Sequence, residues 1–280
     1  MYNKIVAVFR IRGIGRFLYY SILHEKLQSI RGFMTTQQML SGLRRGITDF
    51  SMIRSGDKIA VGLSGGKDSV TLLKLLAAFR RFSPDPFDLI AITVDLKFKD
   101  NPNDFSPLVA FCKELDVPYF IEETDIGEVV FDVRKEENPC SLCAKMRKGA
   151  LNAVALREGC NKIALGHHAD DFIETMLLSL FYEGRLSTCA PKVYLDRTKL
   201  TFIRPMVYLE ERDIISYAKD LPVCKSCCPA NKKTKREYVK DVINNIKKDV
   251  PFVRDRMYTA LFHPERYHLF DRFFDEKDAF

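Results

Sequence analysis

No apolar run among the 280 residues approaches the length of a membrane span. The longest apolar stretch, Ile5 to Leu23, is broken by Arg10, Arg12 and Arg16 and weakened by Gly13 and Gly15. It lacks the clean apolar centre and small-residue cleavage site of a secretory signal. There is no internal repeat and no low-complexity segment, which excludes solenoid and fibrous architectures. No Gly-Lys-Ser/Thr follows a long glycine loop, which excludes the Walker A form of phosphate binding. What remains is an ordinary globular composition, 46% hydrophobic and 29% charged. The 44 Lys+Arg against 37 Asp+Glu leave a formal charge of +7. That surplus suits a polyanionic partner such as RNA and equally suits a plain solvated basic surface.

Strand and helix patterns alternate along the chain. Gln37–Phe50 reads as an amphipathic helix with Leu40, Leu43, Ile47 and Phe50 on one side. Lys58–Leu63 reads as a buried strand, and residues 69–82 as a helix with Leu72, Leu73, Leu76 and Phe79 at helical spacing. Strands follow at 88–94, 118–122, 162–165 and 201–203, with helices at 107–115, 140–158, 170–182 and 210–220. Ile173, Met176, Leu177 and Leu180 are expected to point inward, and residues 123–139 to form a polar connection. Such alternation implies right-handed crossovers and a doubly wound parallel α/β sheet. The expected division is an N-terminal basic, helical extension over 1–50, an α/β domain over 51–222, and a helical, basic C-terminal region over 223–280.

Ligands of such sheets bind beyond the carboxyl ends of the strands. Two motifs lie there. Leu63-Ser64-Gly65-Gly66-Lys67-Asp68-Ser69 joins a strand to a helix. Its glycines allow backbone amides to approach an anion, and the helix N-terminus adds partial positive charge. Ser64 and Ser69 can donate hydroxyls to phosphate oxygens, Lys67 can neutralise charge, and Asp68 can hold Mg²⁺ or orient the loop. The second motif, Gly166-His167-His168-Ala169-Asp170-Asp171, also follows a strand and opens a helix. Gly166 there allows close approach, Asp170 and Asp171 can bind Mg²⁺ or orient a leaving pyrophosphate, and His167 is the histidine read as functional.

The eight cysteines are clustered as Cys140/Cys143 and Cys224/Cys227/Cys228, with Cys112, Cys160 and Cys189 apart. The isolated three read as small buried side chains. With no secretory signal, clusters read as metal or redox groups rather than disulfides. Cys140 and Cys143 head a helix, a position expected to lower their pKa. A redox dithiol, half of a zinc site and part of an iron–sulfur site all fit the pair taken alone. Arg147 and Lys148 stand one turn further along.

The loop Ser64–Ser69 resembles that of the PP-loop ATPases, the N-type ATP pyrophosphatases. With Cys140-Ser-Leu-Cys143, Arg147-Lys148-Gly149, Gly166–Asp171 and Ile203-Arg204-Pro205-Met206 in order, residues 38–245 resemble the tRNA 2-thiocytidine synthetase family. The resemblance implies the adenine-nucleotide alpha hydrolase-like fold, with ATP and Mg²⁺ bound and ATP cleaved between its α and β phosphates. Leu63 through Ser69, Val94, Asp95, Gly166, His167 and Asp170 would bind the nucleotide. Lys67, Asp68, Asp171 and Arg147 would be catalytic. Three cysteines of that family hold a [4Fe–4S] cluster. Carried over, these are Cys140 and Cys143 with Cys228, which precedes Pro229, as third ligand and Cys224 as the alternative.

The implied reaction adenylates the C2 oxygen of cytidine 32 in a tRNA anticodon loop and replaces it with sulfur. The implied partners are tRNA and a sulfur donor, sulfide or persulfide from a cysteine desulfurase. A homodimer is compatible with this, and a cytoplasmic setting without stable membrane insertion is expected. Lys232, Lys233, Lys235, Arg236, Lys240, Lys247 and Lys248, with Tyr238 and Phe252 interleaved, could grip the RNA backbone. Two other readings stand beside this one. A 2-thiouridine synthetase or amide-forming ligase would share the loop, but the ligase needs no cluster. A non-catalytic RNA-binding iron–sulfur sensor would not need both motifs intact.

Overall fold

Asp57–Gly62 forms β1, a run whose residues are buried on both faces. In the computed structural model, which describes residues 34–98, 103–134, 139–224, 228 and 235–267, β1 lies at the centre of a six-stranded sheet. The other strands are β2 (Phe87–Asp95), β3 (Tyr119–Glu123), β4 (Lys162–Ala164), β5 (Lys192–Leu195) and β6 (Leu200–Ile203). Their order is β3-β2-β1-β4-β6-β5, and every pairing is parallel except β5 against β6. The helices are α1 (Thr36–Asp49), α2 (Lys67–Arg80), α3 (Ser106–Glu114), α4 (Pro139–Arg157), α5 (Ala169–Glu183), α6 (Glu211–Tyr217), α7 (Lys235–Asp249) and α8 (Val253–Leu261).

Strand alternation sends Ala60, Ile90, Ile92, Ile163 and Phe202 to one face, where Val154 and Ala155 of α4 close the core. Ile59, Val61, Leu89 and Ala91 point to the other face and are buried as well, with α2 packed on β1 and β2. A parallel sheet covered on both faces is the expected result of βαβ crossovers. Thr35–Phe280 belong to one compact unit. Within it, α1 opens on a capping box between Thr35 and Gln38. Its Gly42 and Gly46 face Leu209 and the Pro205 carbonyl so closely that a side chain would collide.

The expected helix and strand positions recur with boundaries moved by one to three residues, apart from three differences. β5 went unread because Lys-Val-Tyr-Leu is too short for a periodic signal; it forms because β6 offers an edge to pair with. Residues 123–139 hold a π-helical turn, Glu128–Val133, whose Val130 is buried with Ile126 and Cys143. Leu180 points outward at 45% exposure, since α7 and α8 pack on the α5 face of Ile173, Met176 and Leu177 instead. Among the described residues no helix is long and apolar enough to cross a membrane.

A buried ion pair fastens the end of the sheet where β1 and β4 begin. Lys162 Nζ lies 2.5 Å from Asp57 Oδ2 and donates to the Met52 carbonyl at 2.8 Å. Asn161 donates to the other Asp57 oxygen at 2.8 Å. Burial works against the Asp57 charge, yet these bonds hold its pKa below the ordinary carboxylate value.

Candidate functional site

The loop between β1 and α2 is built by its own side chains. Gly65 takes φ +80°, a conformation glycine adopts without strain. Ser64 and Ser69 hydroxyls lie 3.1 Å apart, and Ser69 Oγ also donates to the Gly66 carbonyl at 3.0 Å. Gly66 caps α2 without a side-chain bond, so the first amides of the helix face the loop. Leu63 is fixed at the end of β1, its amide donating to Ile92 and its carbonyl accepting from Thr93. These features gather amides, hydroxyls and one ammonium, groups suited to hold phosphate.

Gly166 packs against this loop from the neighbouring strand end. A Cβ there would stand 3.0 Å from the Asp68 carbonyl carbon and 3.1 Å from both Asp68 O and Ser69 N. The need for glycine therefore arises from backbone meeting backbone between the two motifs. His167 beyond it is half-buried; burial, with Arg204 nearby, pushes its pKa down to about 4. It is a neutral imidazole at ordinary pH. His168 is buried between Asp68, Asp170 and Asp171 at 3.5–3.8 Å.

The carboxylates divide by partner. Asp170 is buried, accepts the Glu211 amide at 2.7 Å and pairs with Arg254 of α8. Asp171 accepts the His168 amide at 3.1 Å and Arg236 at 3.0 Å. Asp68 Oδ2 pairs with Lys67 at 3.0 Å, while its Oδ1 is buried with no hydrogen-bond partner among the described residues. Asp95, at the end of β2, receives the Lys97 amide and the Asn103 side chain.

Lys67 also reaches Glu211 at 3.1 Å. Burial opposes its charge, but Asp68 and Glu211 hold its pKa above the ordinary lysine value. Glu211 in turn takes both oxygens to Lys240, at 2.9 and 3.0 Å. Lys240 stands 3.6 Å from Glu174, and Glu174 accepts Arg236 at 2.8 Å. Glu174 is only 1% exposed, and burial raises its pKa despite these cations. An alternating charge network thus runs from the phosphate loop through α6 and α7 to the head of α5. Arg236 and Lys240, which the sequence suggested for a basic face toward RNA, are paired inside it with carboxylates of α5 and α6. Lys232 and Lys233 lie outside the described residues. Glu174, Glu211 and Arg254 were not singled out from sequence, because isolated charges on helices carry no motif.

A cleft of about 430 Å³ opens where β1, β2, β4 and β6 end against α4. Leu63, Ser64, Val94 and His167 line it together with Ala144, Arg147, Lys148 and Arg204. Lys148 lies over the Phe202 ring at 4.8 Å. Arg204, quoted from the sequence only as part of a motif, is nearly buried and bonds the Ala190 carbonyl. Its position one residue past a strand end was the available signal.

Arg147 connects this cleft to the thiols, since its charge acts on the Cys143 thiol one turn before it and favours the thiolate. Cys143 is buried and Cys140 exposed. The helix start was expected to lower both pKa values. For Cys143 the structure reverses this: burial raises it, and the charges of Cys228 and Cys140 add to the rise, while Arg147 only partly offsets them. Cys228 is thus within electrostatic reach of Cys143. Cys224 lies elsewhere, against the phosphate loop. Its amide donates to the Gly65 carbonyl at 2.9 Å, and a Cβ on Gly65 would come within 3.4 Å of its sulfur. Cys227 is outside the described residues. Cys112 and Cys160 are buried and Cys189 half-buried. Among the described residues no three His, Cys, Asp or Glu side chains form a ready metal cage.

Residues 37–254 match the PP-loop domain family. The chain is 39% identical over 241 residues to the tRNA-cytidine(32) 2-sulfurtransferase of Geobacter metallireducens, covering 84% of this chain and 93% of that one. It is 37% identical over 250 residues to the protein of that name from Pelobacter propionicus, covering 88% and 92%. Among solved structures it is similar to the U34-tRNA thiolase NcsA from Methanococcus maripaludis with its [4Fe-4S] cluster. There the TM-score is 0.67 at 25% identity, over 85% of this chain and 82% of that one.

Proposed function

Because the chain belongs to the tRNA-cytidine(32) 2-sulfurtransferase family of PP-loop proteins, we propose that it activates cytidine 32 of tRNA with ATP and converts it to 2-thiocytidine. The observation that carries this reading is a single cleft. It has Ser64 and His167 of the two phosphate-side motifs on one side and Arg147, whose charge acts on the Cys143 thiol, on the other. Nucleotide and sulfur chemistry therefore meet within one residue's reach.

The carbonyl oxygen on C2 is a poor leaving group. Its attack on the α-phosphorus forms an O–P bond and breaks the bond to the β-phosphate oxygen, releasing pyrophosphate. Hydrosulfide then adds at C2 to form the C–S bond, AMP leaves with the oxygen, and loss of the S–H proton leaves the thiocarbonyl. The amides at the head of α2, the Ser64 and Ser69 hydroxyls and Lys67 hold the phosphates and balance the charge that develops. Asp68 would be the Mg²⁺ ligand, since its buried Oδ1 accepts no hydrogen bond from the described residues and belongs to the loop that holds the phosphates. Asp171 and Asp170 act by position, tying Arg236 and Glu211 to the head of α5. Val94 and Leu63 supply the apolar wall for the base, with Asp95 at its edge. His167, held neutral, lines the cleft without adding charge. Arg204, Arg147 and Lys148 bring cations toward AMP and the RNA backbone.

Cys140, Cys143 and Cys228 fit an iron–sulfur centre by donor chemistry: three soft sulfurs around Cys143, with Arg147 favouring the thiolate. A [4Fe–4S] cluster held by these thiolates would supply a place to hold sulfide for the reaction. The thiols would draw together on binding it. A cytosine must leave its stack to enter such a cleft, which a single-stranded anticodon loop permits. The enzyme would work in the cytoplasm.

The test is nucleoside profiling of tRNA from cells lacking this protein. Loss of 2-thiocytidine, restored by the wild-type chain and not by Lys67→Ala, is expected. Unchanged 2-thiocytidine would refute the proposal. Loss of a 2-thiouridine instead would move the substrate to another base.

A further inference from the structure

Lysine is a flexible point charge on a four-carbon stem, and fixing it costs rotamer entropy. In this loop Lys67 is fixed from two sides, by Asp68 at 3.0 Å and by Glu211 at 3.1 Å. Asp68 belongs to the loop itself. Glu211 does not; it opens α6, remote in sequence, and has been held there by a chain of partners. Asp170 accepts the Glu211 amide at 2.7 Å and is itself paired with Arg254. On the other side Lys240 grips both Glu211 oxygens at 2.9 and 3.0 Å. Backbone and side chain of Glu211 are thus both anchored before it touches Lys67. A carboxylate serving only as a surface countercharge needs no such support.

We infer that Glu211 is a positioning residue for ATP activation, holding the Lys67 ammonium at the place where charge develops on the transferring phosphate. The inference rests on the function proposed above. Its physical content is a trade. As an anion near the triphosphate, Glu211 opposes ATP binding in the ground state. By fixing Lys67 it removes the need to order that side chain in the transition state, where a preoriented charge contributes most. Lys240 partly neutralises the first effect and leaves the second intact. Asp170 acts one step further back: its role in the second motif is to set the head of α6 and so to place Glu211.

The sign of the effect distinguishes positioning from simple support. Glu211→Gln keeps the shape and removes the charge. In the reconstituted holoenzyme with tRNA, kcat for pyrophosphate release is expected to fall roughly 10- to 100-fold, while KM for ATP stays level or falls. Equilibrium binding of α,β-methylene-ATP should be unchanged or tighter. In a Lys67→Met background, Glu211→Gln should cause little further loss, because the group it acts through is gone. Glu211→Asp, one methylene shorter, should recover part of kcat.

Wild-type kcat in Glu211→Gln would overturn the inference, as would a raised KM with kcat unchanged. So would an equal further loss in the Lys67→Met background. Should Glu211→Gln fail to fold by circular dichroism, the same comparison is made with Lys240→Met, which frees Glu211 without touching the loop and should lower kcat less. Failure of the wild-type enzyme to make 2-thiocytidine would refute the proposed function. The analogue-binding comparison would still decide the charge effect of Glu211.

Discussion

Replacing Gly166 by alanine tests whether the two phosphate-side motifs are one machine. The perturbation is a single methyl group. Placed on the Gly166 backbone it would lie 3.0 Å from the Asp68 carbonyl carbon, and 3.1 Å from the Asp68 oxygen and from the Ser69 nitrogen. Ordinary contacts begin near 3.4 Å. All three neighbours are backbone, so no flexible side chain can give way. The loop must recede by about 0.3–0.4 Å, an overpacking that typically costs about 1–3 kcal/mol of stability. The atoms displaced are those that carry the Asp68 carboxylate and the first-turn amide of α2. Since a misplacement of about 1 Å can cost about 10²-fold in rate, kcat/KM for ATP is expected to fall roughly tenfold. Pyrophosphate release measured against ATP concentration gives the number, and urea denaturation gives the stability change. Gly65→Ala should be worse, for it adds the strain of φ +80° to a contact of 3.0 Å with Cys224 Cβ. Wild-type kinetics in Gly166→Ala would refute the claim that Gly166 sets the loop.

Three other outcomes are expected. Cys228→Ser should lose iron on anaerobic purification, while Cys224→Ser should keep it and alter KM for ATP, because Cys224 rests on Gly65; iron retained in Cys228→Ser would move the third ligand. Lys162→Met leaves the Asp57 charge buried without its countercharge, and should cost ~3–5 kcal/mol in urea denaturation, with Asp57→Asn/Lys162→Met recovering much of it. A loss under about 1 kcal/mol would show the pair to be dispensable. The third concerns pH. His167 has its pKa lowered from 6.5 to about 4, so the unfolded chain binds the proton first as pH falls. Its contribution is present above about pH 6.5, declines as the pH drops toward 4, and reaches at most ~3 kcal/mol. Stability of His167→Gln should therefore fall less than wild type between pH 6.5 and 5; parallel curves would refute the buried, neutral assignment.

Local chemistry explains what was legible. Ser64–Ser69 could be read as a phosphate loop because every feature it needs is contiguous: a strand before, glycines within, a helix after. The same holds for Gly166–Asp171 and for Cys140-x-x-Cys143, where helical geometry alone brings two thiols near each other. The sheet followed from alternation of buried strands with helices, since a run apolar on both faces has few other places to go. β5 was illegible because a four-residue edge strand takes its conformation from the strand beside it.

What tertiary structure alone decided was the partner of each charged group. Asp170 and Asp171 look alike in sequence, yet one meets Arg254 and the Glu211 amide, and the other meets Arg236. Arg236 and Lys240 look like part of a basic surface, yet they lie among carboxylates from α5 and α6. Cys224 and Cys228 are separated by three residues, yet one sits on the loop after β1 and the other is within electrostatic reach of Cys143. The physical reason is the same throughout. A motif is short-range geometry, which the backbone supplies by itself. The field at a carboxylate, ammonium or thiol comes from groups distant in the chain, and only the packing of helices on the sheet brings those within a few ångströms.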